Sequence, residues 1–158
     1  MGRESDAVEI SFEGRGKPVI KLDGESGLVD ESGRVIGTAL DCGDLAMPFL
    51  WWEVKSSLDR DKSRGRDCFV IDFESPGENE ISRVRAWIDS SIFIVLRAES
   101  YGIDDKLLKQ VVVKSFKKID DQWIIKDLEI SEASSTVKTV VTVETMDVKT
   151  KSGGKKEI

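Results

Sequence analysis

The segment Glu80–Ile130 constrains the fold more than any other part of the chain. It holds successive strand-length runs rich in β-branched and aromatic residues, which read ISRVRAWIDS, IFIVLRAESYG, LLKQVVVKSFKKID and DQWIIKDLEIS. Only short polar turns separate these runs. Because a parallel crossover needs a dozen or more residues, the runs predict an antiparallel meander. Each run mixes charged with apolar residues, which indicates a surface that receives a ligand or partner rather than a catalytic centre.

Strand-like runs also lie before and after this meander. Ala7–Phe12 and Pro18–Leu22 predict one hairpin, and the apolar pairs on either side of Asp30-Glu31-Ser32-Gly33 predict a second. Asp67–Glu74 and Thr136–Val148 predict further strands. The fold class is therefore mainly β, with about eight or more antiparallel strands.

Two charged segments are predicted to lie outside the strands. Lys55–Arg66 (KSSLDRDKSRGR) is predicted to be a charged connection. Residues 149–158 (KTKSGGKKEI) are predicted to be a disordered tail after a single domain over residues 1–148.

A short helix is predicted near residues 44–54, where apolar side chains recur at helical spacing. Asp41 or Asp44 can cap the helix. Proline is tolerated only in the first turn of a helix, so Pro48 leaves the start of this helix open. Phe49-Leu50-Trp51-Trp52 cannot all face one core, because neighbouring helical residues point about 100° apart. At least one tryptophan should lie at an edge or a cavity mouth, unless the helix is buried on two sides.

Composition and missing motifs exclude whole classes of function. The net charge of −6 and the pI near 4.9 argue against nucleic acid as a partner, because phosphate binding needs a basic surface. The sequence has no histidine, which removes Ser-His-Asp and Cys-His arrangements and the usual zinc ligand sets. We therefore predict no catalytic residue, no cofactor and no metal site. No apolar run approaches roughly 18 residues, so no integral membrane segment is expected.

Cys42 and Cys68 are the only cysteines. A disulfide between them would close a loop of about 26 residues and stabilise the fold by roughly 3 kcal/mol. Cys68 alternates with Val70 in a predicted strand, where a lone cysteine usually acts as a small buried hydrophobe. We predict two free, buried thiols.

Alternation within the strands predicts which residues share a face. Phe69, Ile71 and Phe73 oppose Cys68, Val70 and Asp72, and Val84, Ala86 and Ile88 oppose Arg83, Arg85 and Trp87. On the next strand Ile92, Ile94, Leu96 and Ala98 oppose Phe93, Val95, Arg97, Glu99 and Tyr101. Arginine and lysine stems can shield Trp87 and Phe93 from water, or these rings can line an apolar groove. Both interpretations stay open.

Several short motifs occur in an order that resembles a known family. They are Asp44-Leu45 with Phe49-Leu50-x-Trp52, then Gly65-Arg66-Asp67-Cys68, Val84–Asp89 (VRAWID) and Lys117–Trp123. The chain from about Asp41 to Val148 resembles the outer-membrane lipoprotein-sorting (LolA-like) proteins of bacterial envelopes. It departs from their pattern at Asp121, where glycine is usual. It also lacks their export signal and opening helices before Asp41, which a trimmed chain and a shortened relative would both explain.

The resemblance implies a curved antiparallel sheet, a half-open β-barrel of the lipoprotein-carrier type with a short helix as partial lid. It also implies a non-catalytic protein of the periplasm or cell envelope. Its partners would be a lipid or an acylated lipoprotein, together with envelope transport proteins. The alternative is a structural or interaction module whose concave face is filled by its own side chains. The predicted lipid-binding residues are the large apolar ones of the helix and of matching strand faces: Phe49, Leu50, Trp52, Phe69, Ile71, Phe73, Ile92, Ile94 and Leu96.

Overall fold

The computed structural model describes residues 6–12, 18–24, 44, 47–77, 80–136, 138–143, 147–149 and 155–157, and it is mainly β. Two hairpins form separate sheets: β1 (Asp6–Phe12) pairs with β2 (Pro18–Gly24), and β10 (Asp147–Lys149) pairs with β11 (Lys155–Glu157). The main sheet has seven antiparallel strands in the order β3-β4-β5-β6-β7-β8-β9, which confirms the predicted meander. These strands are β3 (Glu53–Ser63), β4 (Arg66–Glu74), β5 (Arg83–Asp89), β6 (Val95–Tyr101), β7 (Leu107–Ile119), β8 (Gln122–Glu132) and β9 (Lys138–Thr142).

Tight turns explain why successive strands are also neighbours. Arg64 and Gly65 connect β3 to β4 with φ of 52° and 77°, and Asp120 and Asp121 connect β7 to β8 with φ of 47° and 64°. Two successive residues with positive φ give a two-residue turn whose twist matches that of the flanking strands. Glycine adopts this conformation freely, and aspartate tolerates it better than most residues. The acidic pair Asp120-Asp121 therefore has a turn role.

The predicted short helix near residues 44–54 is present but broken: Asp44 is α-helical, and Pro48–Trp51 forms a separate four-residue 3₁₀ helix. Only Pro48–Trp51 is helical among residues 47–54, as a four-residue 3₁₀ turn, and Glu53 already begins β3. Met47 precedes the turn with φ of 47°, which an α-helix does not allow, and Pro48 has no N–H to donate. Hydrophobic spacing alone could not show this break, because the same residues suit a tight turn with one buried side chain.

The connection predicted at Lys55–Arg66 is also wrong, because most of it belongs to β3, an edge strand of the sheet. Most of its residues are exposed. A charged edge strand is common, since charges discourage pairing with another chain.

The predicted last strand, Thr136–Val148, is divided: β9 pairs with β8, whereas β10 pairs with β11. Lys155–Glu157 is a strand within the segment predicted to be disordered. The hairpin predicted around Asp30–Gly33 lies outside the described residues. The domain limits stay predictions.

Two apolar clusters occupy opposite faces of the sheet. The lid cluster contains Phe73 and Ile71 of β4 with Val84 and Ala86 of β5, under Phe49. The Cys68 cluster uses the positions of β4 and β5 that alternate with those of the lid cluster. Its buried members are Cys68, Val70, Trp87, Ile94 and Leu96. A third cluster joins β7 and β8 through Val111, Leu128 and Ile130.

A β-bulge decides which face β6 presents. Arg97 lies opposite Trp87, whereas the next residue of β5, Ile88, lies opposite Val95, so Leu96 is an extra residue. Leu96 joins the Cys68 cluster, while Val95 and Ala98 join the lid cluster. The prediction that Leu96 and Ala98 share a face is therefore wrong, because simple alternation fails across a bulge.

Candidate functional site

Asp44 and residues 47–52, which include the 3₁₀ turn, lie across one face of the sheet, and we call them the lid. The Phe49 ring packs on Phe73 of β4, with centroids 5.6 Å apart. The Asp44 carboxylate binds Lys109 of β7 at 2.6 Å, and both side chains are largely buried, at 10% and 14% exposure. Because β5 and β6 lie between β4 and β7, these two contacts hold the lid across four adjacent strands.

A small apolar pocket, the lid pocket, lies beneath this segment. Its volume is about 120 Å³, and its polar groups come from Asp44, Ser100 and Lys109. The apolar residues that line it are Met47, Pro48, Phe49, Trp52, Ile81, Val84, Ala98 and Val111. Pockets that enclose a drug-sized ligand are larger, roughly 300–1,000 Å³. The lid pocket is therefore too small to enclose a drug-sized ligand in this conformation.

A second concavity, the outer groove, opens at the same end of the sheet. Its volume is about 530 Å³, and it runs between the start of β5, the start of β7 and the end of β8. It shares Ile81 and Lys109 with the lid pocket. Its remaining lining residues are Glu80, Lys106, Leu107, Leu108, Glu132, Ala133 and Ser134.

The structure brings together only part of the predicted lipid-binding set. Phe49 and Trp52 line the lid pocket, and Ile71 and Phe73 lie in the lid cluster beside it. Leu50 is exposed at 38%. Phe69 lies under the Arg60 guanidinium at 4.6 Å. Ile92, Ile94 and Leu96 belong to the Cys68 cluster and do not line the lid pocket.

Lys109 is the residue that the sequence argument overlooked. It lies on β7 two and four positions before Val111 and Val113, which are both buried. This alternation places a charge on the apolar face of a strand, and such a charge needs a partner there. The position of Lys109 in the sequence could therefore have indicated a buried charge, whereas its partner Asp44 could be identified only from the folded chain.

Trp87, on the opposite face, is held by polar neighbours and is not open to a ligand. Its indole N–H donates to Asp61 Oδ2 at 3.2 Å, and the Arg97 guanidinium covers its ring at 4.6 Å. The bond from Trp87 also lowers the pKa of Asp61. Trp87 is 8% exposed and Phe93 is 70% exposed, so arginine shielding holds for Trp87 only.

Three of the sequence motifs meet in one structural cluster. Arg66 donates to Asp89, whose other carboxylate oxygen accepts the backbone N–H groups of Ser91 and Ile92 at 2.8 and 3.0 Å. Arg66 also lies over the Phe116 ring at 5.4 Å. Hydrogen bonding from Arg66 in particular holds the pKa of Asp89 below its ordinary value. These motif residues therefore fix the β5–β6 turn and join β4 to β7, away from the lid pocket.

Phe116 connects the last motif to the same cluster through Trp123, whose ring lies edge-on at 5.4 Å. Lys118 lies 5.7 Å from the Trp123 ring centroid. The Lys117–Trp123 motif is thus part of the packing between β7 and β8.

Cys68 is a free thiol with no exposed surface, as predicted. Its Sγ lies 3.4 Å from the carbonyl oxygen of Arg66, and burial raises the pKa of the thiol. Cys42 lies outside the described residues, so its redox state stays a prediction. Within the described ranges, no cluster of histidine, cysteine and acidic residues is arranged to hold a metal ion. No helix in that part of the chain is long and apolar enough to cross a membrane.

Comparison with known proteins places this geometry in a familiar fold. A family model described as "Uncharacterized protein" matches residues 25–153. No curated protein matches the chain. A DUF1329 family protein from Desulfovibrio piger superposes with a TM-score of 0.61 at 17% identity, over 78% of this chain and 52% of that one.

Two further solved structures bear LolA-type descriptions. A domain from Vibrio parahaemolyticus, described as an outer membrane lipoprotein-sorting protein, superposes with a TM-score of 0.58 at 19% identity, over 81% of this chain and 57% of that one. A LolA superfamily protein from Nitrosomonas europaea superposes with a TM-score of 0.57 at 17% identity, over 80% of this chain and 62% of that one. The chain thus spans between 52% and 62% of the length of these proteins. The predicted resemblance is confirmed at the level of the fold.

Proposed function

The chain belongs to the family whose model matches residues 25–153, and from this premise and its LolA-like fold we propose that it binds an acyl chain without reacting with it. The observation that carries the proposal is the apolar pocket beneath the lid, at one end of an open sheet. The acyl chain would belong to a lipid or to a lipoprotein of the cell envelope. The periplasm is the matching location, with envelope transport proteins as further partners.

Apolar burial supplies the affinity in this proposal. Each methylene removed from water contributes about 0.8 kcal/mol, so a short acyl segment suffices for reversible binding. Trp52 and Val111 face the pocket from the lid and from the sheet, so a chain between them would be covered on both sides. Lys109 and Asp44 neutralise each other within the wall, which keeps an uncompensated charge away from the chain.

A longer ligand requires the lid to move, because the closed pocket is only about 120 Å³. The lid consists of Asp44 and the segment around the 3₁₀ turn Pro48–Trp51, and it is anchored by Phe49 and by the Asp44–Lys109 ion pair. Exposing a buried phenylalanine costs on the order of 1.5–3 kcal/mol, and separating the largely buried ion pair adds to this cost, so the entering chain must bury enough methylenes to offset both. Binding and lid opening are therefore coupled in this proposal.

The small closed volume also favours a second candidate, a structural or interaction module of the envelope whose core is filled by its own side chains. Under this alternative Phe49 and Trp52 are permanent core residues and the lid stays closed. The two candidates differ in whether lipid binds at all.

Adjacent tryptophans give a matched test of the carrier. Trp52 lines the lid pocket, whereas Trp51 does not and is 37% exposed. Titration with palmitate should shift tryptophan emission to the blue in the wild type and in Trp51→Phe. The shift should be lost in Trp52→Phe, and native mass spectrometry should detect a bound lipid in protein purified from a bacterial host. Absence of both the bound lipid and a saturable emission change would favour the self-filled module.

A further inference from the structure

We propose that the chain has a second ligand site, the far pocket, which binds a fatty carboxylate: one anionic headgroup on a single apolar chain. The far pocket lies between the end of β7, the start of β8 and the end of β9, and its volume is about 380 Å³. Lys117 and Ile119 of β7 line it, whereas Lys109 and Val111 of the same strand line the lid pocket. Lys117 lies six residues after Val111, or roughly 20 Å along the strand. Binding at the far pocket does not require the lid to open, so this site is separate from that of the proposed function.

The floor of the far pocket is apolar and belongs to packed strands. Three isoleucines line it together with Val143, and they are Ile119, Ile124 and Ile125. Ile125 is partly buried and packs against both the Cys68 cluster and the third cluster. Unlike the lid pocket, the far pocket reaches the range of roughly 300–1,000 Å³ that is typical of ligand sites. It therefore offers an apolar chain a preformed surface.

Two exposed lysines border this floor, Lys117 and Lys126. Within the described ranges Lys117 takes part in no ion pair, whereas its neighbour Lys118 is bound to the turn residue Asp121. Lys126 is attracted to the adjacent Asp127, which partly offsets its charge. Two ammonium groups and one neighbouring carboxylate leave a net charge of +1 beside the pocket.

This charge pattern favours a ligand with a single negative charge. A carboxylate can accept a charge-assisted hydrogen bond from the Lys117 ammonium, which is stronger than a hydrogen bond between neutral groups. A cationic headgroup is repelled by the net charge of +1, and an uncharged one gains little from Lys117. A second negative charge on the ligand would meet only the ammonium that Asp127 already attracts. A monovalent fatty carboxylate therefore matches both the charge and the apolar floor.

Heteronuclear NMR titration measures binding at each site separately. The backbone amides of Ile124 and Val143 report the far pocket, and those of Ala98 and Val111 report the lid pocket. Decanoate, decanol and decyltrimethylammonium share one chain and differ in charge. At Ile124 and Val143 we expect decanoate to bind at least about tenfold more tightly than the other two. From hexanoate through octanoate to decanoate, the affinity there should rise by up to about fourfold per methylene, because the added chain covers the apolar floor.

A matched pair of lysine substitutions tests the headgroup contact. Lys117→Gln should weaken decanoate at the far pocket at least about fivefold, and it changes an exposed side chain, so the fold should be retained. Lys55→Gln removes the same charge at an exposed position of β3 that does not line the far pocket, and it should leave decanoate binding unchanged. Circular dichroism verifies that both variants are folded.

Three results at Ile124 and Val143 would each overturn the far pocket as a carboxylate site. They are equal affinity for the three headgroups, no rise in affinity with chain length, and equal binding by Lys117→Gln and Lys55→Gln. The proposed function is decided separately, by the palmitate emission change that depends on Trp52, so either site can fail without the other. Loss of that emission change in Lys117→Gln would show one shared site and would overturn a separate far pocket.

Discussion

Replacing Asp89 tests whether the Trp-Ile-Asp motif stabilises the fold instead of serving the ligand. Asp89 is 1% exposed at the end of β5. One of its carboxylate oxygens accepts the backbone N–H groups of Ser91 and Ile92, and the other accepts a hydrogen bond from Arg66. These bonds hold the β5–β6 turn, which continues with Phe93 at a φ of 57°.

The expected loss of stability follows from these bonds. Asp89→Ala removes all of them and leaves backbone N–H groups of a part-buried turn without their acceptor, which should cost about 3–5 kcal/mol. Asp89→Asn retains an oxygen for the turn but loses the charge that Arg66 binds, which should cost about 1.5–3 kcal/mol. Asp67→Asn makes the same chemical change at an exposed position of β4 and should stay within about 0.5 kcal/mol of the wild type.

The free energy of unfolding of the wild type should also depend on pH through Asp89, and that of the Asp89 variants should not. Hydrogen bonding from Arg66 in particular holds the folded-state pKa of Asp89 below its ordinary value, so as the pH falls the unfolded chain takes up a proton at this site before the folded chain does. The unfolded state then binds more protons than the folded state, and the free energy of unfolding falls below about pH 4. Above that pH the contribution of Asp89 is fully present. The gap between wild type and Asp89→Asn should therefore narrow as the solution is acidified.

Urea unfolding followed by circular dichroism and tryptophan emission measures these differences, with the same series repeated between pH 6 and pH 3. The slope of the transition should be the same in all variants, so that midpoints report stability. Asp89→Ala within about 1 kcal/mol of the wild type would refute the structural role. A gap between wild type and Asp89→Asn that does not change with pH would refute the assignment of the lowered pKa.

Three further outcomes follow from the packing and the turns. Leu96→Ala should lower the free energy of unfolding in urea by about 2–5 kcal/mol, because Leu96 packs in the Cys68 cluster. It should leave palmitate affinity unchanged, because Leu96 does not line the lid pocket, and a selective loss of binding would contradict this. Arg64→Asn should raise stability by about 0.5–1 kcal/mol, because asparagine adopts a φ of 52° more easily, and a lower melting temperature would contradict it. Thiol labelling without reductant should be slow at Cys68 in the native protein and rapid after unfolding; rapid native labelling would show that the site is open.

The strands and their order could be predicted from the sequence, because both depend on local patterns. Strand-length β-branched runs and turns too short for a crossover leave only an antiparallel meander. Asp67–Glu74 was predicted as a strand and is observed within one residue as β4. The buried state of Cys68 also followed from local alternation with Val70, and it is confirmed.

The lid and the pocket depended on interactions between distant residues. The helical segment is broken at Met47, where φ is positive, and it ends where β3 begins; hydrophobic spacing predicts neither feature. The bulge at Leu96 reversed the faces of β6, because one extra residue shifts every side chain after it to the other side. The pairing of Lys109 with Asp44 joins residues that are far apart in the chain. Local sequence sets the period of each strand, but only the folded sheet determines which strand positions the lid covers.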